Sequence, residues 1–378
     1  MSRLFITSPP VNHDTRFPVP CQVMYWNGVY YPNWRIYRDQ PPVSLNYDVI
    51  SHVFYAFAWV KEDGTVYLSD EWADAQIEVP GAGDVPATQG CLNSFALIKK
   101  KYTRLRVVLS VGGGGKGSEA FAAVAQDPSK RQRFAQTALG LVQQFGIDGI
   151  DIDWEHPSNS QQGQDYIALL ADLRQYLPGP QYTLSTALPA GEWALQHINL
   201  GYAAHYVDLI NLMAYDYSGP WTSTCGHQAQ LFTPQIPHSP EAATSGHSAV
   251  SYMIGQGVPP QKIVLGVPAY GRSFTNTGGV GHEFFGQGGE EGTFEYRDLP
   301  RPGATEHVDE MLGAAYCIGG DGGFVTYDTP QTVRMKADYV RYNSLGGLFY
   351  WTGTGDASSL HQKDRSLVYN GFLGLFPQ

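Results

Sequence analysis

No run of 18 apolar residues occurs in the 378-residue chain, so a helical membrane span is not expected. Positive charge is scarce: 24 Lys and Arg stand against 35 Asp and Glu, a net charge of −11, with no basic cluster. That balance argues against a nucleic-acid backbone or an anionic membrane as partner and favours an uncharged or cationic substrate. Cysteine is sparse, and Cys21, Cys91, Cys225 and Cys317 fit no metal-ligand spacing. Neither a metal nor a cofactor is expected, while two disulfides and unpaired buried thiols both stay open. The first twenty residues lack the apolar segment of a secretory leader. Either the chain is cytoplasmic or its leader has been removed, with secretion favoured. No repeat, low-complexity linker or appended binding module is seen, and a monomer is expected.

Aromatics are plentiful, at 13% of the chain with 8 Trp and 24 Tyr. Flat rings that stack and also donate hydrogen bonds suit sugar surfaces, although any single Trp is as readily explained by the core. The most informative stretch is Asp148-Gly-Ile-Asp151-Ile-Asp153-Trp-Glu155. In an extended strand Asp151, Asp153 and Glu155 share one face at about 6.6 Å spacing, and Ile150, Ile152 and Trp154 take the other. Crowded, desolvated carboxyls cannot all ionise cheaply, so at least one holds its proton more tightly. The run therefore reads as a general acid supported by its neighbours. Asp148, of opposite parity, is expected to order the strand end. A solvated acidic edge or a calcium loop is the bland alternative, but isoleucines between the acids and the wrong spacing speak against both.

Short apolar runs recur at Cys21 to Trp26, His52 to Ala58, Arg106 to Val111, Ile147 to Asp153, Tyr182 to Leu188, Asp208 to Ala214, Lys262 to Val267 and Leu345 to Tyr350. Helical spacing fills gaps between them, as in Phe134, Ala138, Leu141, Val142 and Phe145 before Gly146, or Tyr166, Ile167, Leu170, Leu173 and Leu177. Asp328-Thr-Pro330 opens a further helix. Strand and helix alternating eight times predict a (β/α)8 TIM barrel, with catalytic groups at the C-terminal strand ends. The wide gap before the last strand predicts a small inserted subdomain over residues 274–325, with barrel segments over 20–273 and 326–378. Its Phe284, Phe285, Phe294, Tyr296, Tyr316 and Phe324 call for burial, which argues against a disordered loop.

With these motifs together, the chain resembles the family 18 glycoside hydrolases, the chitinases, and within them the branch with an α+β insertion before the last strand. The similarity runs from about Gln22 to the C-terminus. It rests on the acid run, Ser110-Val-Gly112-Gly113, Met213-Ala-Tyr215-Asp216, Tyr270-Gly-Arg272 and Trp351. The resemblance implies retaining hydrolysis of β-1,4-linked N-acetylglucosamine polymers without a protein nucleophile. By analogy Glu155 is the acid, Asp153 steadies the acetamido group and the positive charge, Asp151 shares a proton behind it, and Tyr215 hydrogen-bonds the acetamido oxygen. Trp351 corresponds to the ring under the sugar at the cleavage point. Tyr25 and Phe57 match residues lining that subsite, and Trp34 a ring toward the non-reducing side. Gly113, Met213, Asp216, Trp221, Tyr270 and Arg272 complete the expected cleft, with Trp59, Trp72 and Trp193 as weaker candidates.

The chain departs from the family pattern twice near the acid. Gly114 stands where many relatives carry a Trp that stacks a sugar on the reducing side, and His156 follows the acid where Tyr is common. Leaving-group binding is then expected to be weaker or differently built, and a histidine beside the acid to tilt the pH profile in a direction the sequence leaves open. Chitin or chitooligosaccharides are the expected ligands. The competing readings are an inactive chitin-binding lectin of the same fold, an endo-β-N-acetylglucosaminidase acting on N-glycans, and an ordinary two-carboxylate glycosidase with Asp153 as nucleophile.

Overall fold

Eight parallel strands close on themselves: β1 (Trp26–Pro32), β2 (His52–Val60), β3 (Arg106–Gly112), β4 (Gly149–Asp153), β5 (Thr183–Pro189), β6 (Leu209–Met213), β7 (Ile263–Pro268) and β8 (Gly347–Trp351). β1 pairs with both β2 and β8, so the sheet has no free parallel edge and forms the expected barrel. The structure is a computed structural model and describes residues 25–237 and 239–377.

Strand alternation sorts the side chains into two cores. Tyr30, Phe54, Val108, Leu209, Val264 and Phe349 form one apolar cluster, inside the barrel. Val29, Tyr31, Val53, Tyr55, Ile150 and Ile152 belong to the larger core between strands and helices. Asp151 and Asp153 are thereby turned inward, away from the isoleucines. Asp148 stays at the other strand end, where Oδ2 accepts from the Val107 N–H at 2.7 Å and meets Lys99 at 2.8 Å.

The first strand lies later than the sequence suggested. Trp26 begins it rather than ending it, and Cys21 to Met24 of the expected run lie outside the described residues. The first crossover also lacks an α-helix, carrying only the 3-10 turns Asn33–Arg38 and Pro42–Ser44. Pro32, Pro41 and Pro42 remove backbone donors there, and Asp39 takes a left-handed φ of 55°.

Elsewhere the helices follow their signals. Pro128–Phe145 starts at the Asp127 cap and stops where Gly146 adopts φ 61°, a conformation glycine takes without strain. Pro330–Tyr342 opens with a Thr329/Thr332 capping box. On its buried face Lys336 Nζ meets Asp328 Oδ2 at 2.6 Å, with both side chains almost wholly enclosed.

Before β8, five antiparallel strands form a second sheet in the order Thr293–Glu295, Tyr270–Phe274, Phe324–Tyr327, Ala314–Ile318, Thr305–Asp309. It overruns the expected limits at both ends, because the strands bearing Tyr270 and Thr326 belong to it. Among the described residues its helical content is two 3-10 turns, Tyr296–Asp298 and Gly320–Gly322, so the α part expected there is reduced to single turns. Phe274, Tyr296 and Phe324 are buried, but Phe285 is 72% exposed, against expectation. Cys91, Cys225 and Cys317 are buried free thiols. Among the described residues no helix is long and apolar enough to cross a membrane.

Candidate active site

β4 delivers its inward carboxyls to the C-terminal end of the barrel. Asp151 is fully buried; its Oδ2 accepts from the hydroxyls of Tyr30 and Ser110, both at 2.8 Å, and its Oδ1 from Ser185 at 2.7 Å. Asn211 donates to the Tyr30 hydroxyl at 3.0 Å, which commits the tyrosine proton to Asp151. Burial raises the Asp151 carboxyl, while these donors pull it back down.

Asp153, one step further along, has a buried Oδ1 with no hydrogen-bond partner among the described residues. Burial first, and then the negative fields of Glu155 and Asp151, push its carboxyl well above the usual carboxylate range.

Glu155 lies just past the strand. Its backbone N–H donates to Ser118 Oγ at 2.8 Å, and that hydroxyl donates to the Gly113 carbonyl at 2.9 Å, so the loop after β3 fixes where the acid stands. Burial, and then the field of Asp216, lift Glu155 to about 6. A carboxyl in that range is poised to give and take protons near neutral pH. His156 packs edge-on against Trp193 at 5.2 Å, and burial lowers its pKa. It is therefore neutral at neutral pH and leaves Glu155 without an adjacent cation.

Backbone packing explains the glycines of β3. A Cβ on Gly112, at φ 125°, would come within 2.1 Å of the Asp153 carbonyl oxygen, and one on Gly113, at φ 90°, within 2.8 Å of the Phe57 ring. Those glycines let the acid strand and the aromatic floor approach each other.

That floor is a row of rings. Trp351 stacks near Phe57 at 5.8 Å, and Phe57 in turn faces Trp34 at 6.3 Å. Above the row, Tyr215 is half-buried, and burial with the fields of Asp153 and Asp216 drives its hydroxyl well above 10, so it remains a proton donor. Asp216, at φ 61°, accepts from Tyr270 and Arg272, both at 2.6 Å.

These elements enclose a cavity of about 390 Å³ lined by Trp34, Phe57, Gly113, Asp153, Glu155, Met213, Tyr215, Asp216, Tyr270 and Trp351 from the expected set, a size suited to a ligand-binding cleft. Asp151 sits behind it. Arg272 braces Asp216 and places its guanidinium 4.6 Å from the Trp221 ring, and Trp221 stands exposed outside the lining. Tyr25 is a correction: it precedes β1 and packs at 6.0 Å against Phe376, just past the C-terminal helix Leu367–Leu375, at the opposite end of the strand from the acids. Tyr30 takes the inward position instead. Sequence reasoning also missed Ser185, Ser118 and Asn211, and it underrated Trp59, which lines the cavity with Gly112 and Gly114.

A closed barrel whose fourth strand presents buried acids to a ring-lined cleft defines a glycoside hydrolase. The chain belongs to glycosyl hydrolases family 18, whose model matches residues 27–356. Over 369 residues it is 36% identical to Chitinase 1 of Aphanocladium album, covering 93% of this chain and 86% of that protein. Endochitinase 1 of Metarhizium robertsii is 36% identical over 349 residues, covering 88% and 82%. Among solved structures, Ostrinia furnacalis Group IV chitinase in complex with allosamidin matches with a TM-score of 0.81 at 27% identity, covering 91% of this chain and 96% of that one.

Proposed function

We propose that this protein is a chitinase that hydrolyses β-1,4-linked N-acetylglucosamine chains with retention, the acetamido oxygen of the substrate acting as the nucleophile. The carrying observation is that Glu155, lifted to about 6, shares one cavity with Asp153, Tyr215 and Trp351.

Trp351 carries the sugar at the cleavage point. Tyr215 donates to the acetamido oxygen, aiming it at the anomeric carbon, a proximity effect of the kind that lowers a barrier without new chemistry. Glu155 gives its proton to the glycosidic oxygen as the bond to the anomeric carbon breaks, and the acetamido oxygen closes an oxazolinium ring. The proton held by Asp153 passes to Asp151, leaving the Asp153 carboxylate to face the acetamido N–H and offset the positive charge. Water then adds at the same carbon, Glu155 recovers a proton from it, and the ring reopens.

Further observations favour this reading. The named relatives above are chitinases, and the Ostrinia enzyme was solved with allosamidin. All four reacting groups are present, which disfavours an inactive lectin. The row from Trp351 to Trp34 fits an unbranched chain better than an N-glycan, and the acidic, cation-poor surface suits a neutral polymer rather than a nucleic acid or membrane.

A time course with N-acetylglucosamine hexamer, read with anomer analysis, tests the proposal. Shorter oligomers should appear with the β-anomer first. Binding without cleavage would favour the lectin, and first release of the α-anomer would refute retention.

A further inference from the structure

We propose that Trp59, braced by Lys116, is a sugar-binding platform for the leaving-group portion of the chain. The proposal rests on the chitinase reading, since it assigns a role relative to the bond that Glu155 protonates.

Trp59 lies near the C-terminal end of β2, two residues past Phe57, and is half-buried with its ring lining the same cavity as Glu155 and Gly114. The loop after β3 runs against it. A Cβ on Gly117 would lie 3.4 Å from the indole Nε1, and Lys116 Nζ stands 4.7 Å from the ring centroid. Tyr67 meets the indole edge-on at 6.4 Å. A cation over the ring and an aromatic at its edge fix the indole's orientation. They leave its cavity-facing part for a ligand.

Position relative to the acid supplies the side of the cleft. Gly114 sits beside the Glu155 carboxyl, where a Cβ would be 3.7 Å from Oε1, so no side chain at this position covers the acid. The rings of Trp351 and Phe57 and the Tyr215 hydroxyl take the sugar on one side of the scissile oxygen, and Trp34 continues that row. Phe57 meets this loop at Gly113 and Trp59 meets it further out, at Lys116 and Gly117, and Trp59 lies two residues further along β2. That places it to receive the sugar beyond the scissile bond.

The test is hydrolysis of N-acetylglucosamine hexamer by W59A, W59F and K116M, with calorimetric binding of the same hexamer to E155Q and E155Q/W59A. Losing the platform should raise KM about fivefold to tenfold with a much smaller change in kcat; W59F should recover most of the loss, and K116M should show about a twofold rise. In the double variant the hexamer dissociation constant should rise by a similar factor. An unchanged KM in W59A, or a fall in kcat that tracks a lowered melting temperature in W59A and W59F alike, would overturn the proposal. Should the wild type bind the hexamer without cutting it, the chitinase reading fails, whereas the calorimetric pair still decides whether Trp59 holds sugar.

Discussion

Tyr30 and Asp151 meet at 2.8 Å across the inside of the barrel, the tyrosine hydroxyl donating to a carboxylate that also takes donors from Ser110 and Ser185. The contact ties β1 to β4 and holds the group proposed to exchange a proton with Asp153. Tyr30→Phe removes one charge-assisted donor and leaves Asn211 without its acceptor. A bond of that kind is worth about 1.5–3 kcal/mol of stability, and denaturant unfolding should show a loss of that order, with Tyr25→Phe, whose ring lies at the far end of β1, staying within about 0.5 kcal/mol of wild type.

Glu155→Gln removes the transferable proton and should lower kcat by about 10²-fold to 10⁴-fold. Oligosaccharide affinity, measured by calorimetry, should persist because the ring floor is untouched.

The acid must be protonated to work, and its carboxyl is lifted to about 6. Because the proposed proton donor works only while protonated, the kcat/KM of free enzyme should be full at lower pH and decline as pH rises through about 6. Asp216 contributes part of that rise through its negative field, so Asp216→Asn should move the declining limb to lower pH. The same linkage has a stability consequence. The raised Glu155 carboxyl contributes stability that is present at low pH and lost once Glu155 ionises. The melting temperature of Glu155→Gln should therefore exceed that of wild type at pH 8, with the gap closing toward pH 4.

Lys336 and Asp328 form a buried ion pair at 2.6 Å, and Thr332 donates to the other carboxylate oxygen at 2.7 Å. Lys336→Met strands a buried carboxylate, which costs about 3–5 kcal/mol. Denaturant unfolding should show that loss, while Lys336→Met with Asp328→Asn together should recover part of it.

The acid strand was legible because alternation of isoleucine and aspartate has one reading in a strand, and the acids do turn inward while Ile150 and Ile152 meet the helices. Position on β1 was not. From Tyr25 to Tyr31 the residues are mostly aromatic or apolar on both faces, as barrel strands buried on both sides tend to be, so nothing in the pattern marks Tyr30 as the inward-facing tyrosine. The hydroxyl ring around Asp151 was equally hidden, since Ser110, Ser185 and Tyr30 come from three strands and meet only through register. Trp59 was judged one ring among many because its partner, Lys116, lies across a loop. The limits of the second sheet escaped because its first strand, Tyr270–Phe274, follows directly on β7 with one residue between them.

The central claim, that the sugar's own amide rather than an enzyme carboxylate attacks the anomeric carbon, is tested most directly on partly deacetylated chitin. Sequencing the newly formed reducing ends after limited digestion should find N-acetylglucosamine at every one, because a glucosamine unit at the cleavage point has no internal nucleophile. New reducing ends carrying glucosamine at the frequency of that sugar in the polymer would contradict the account.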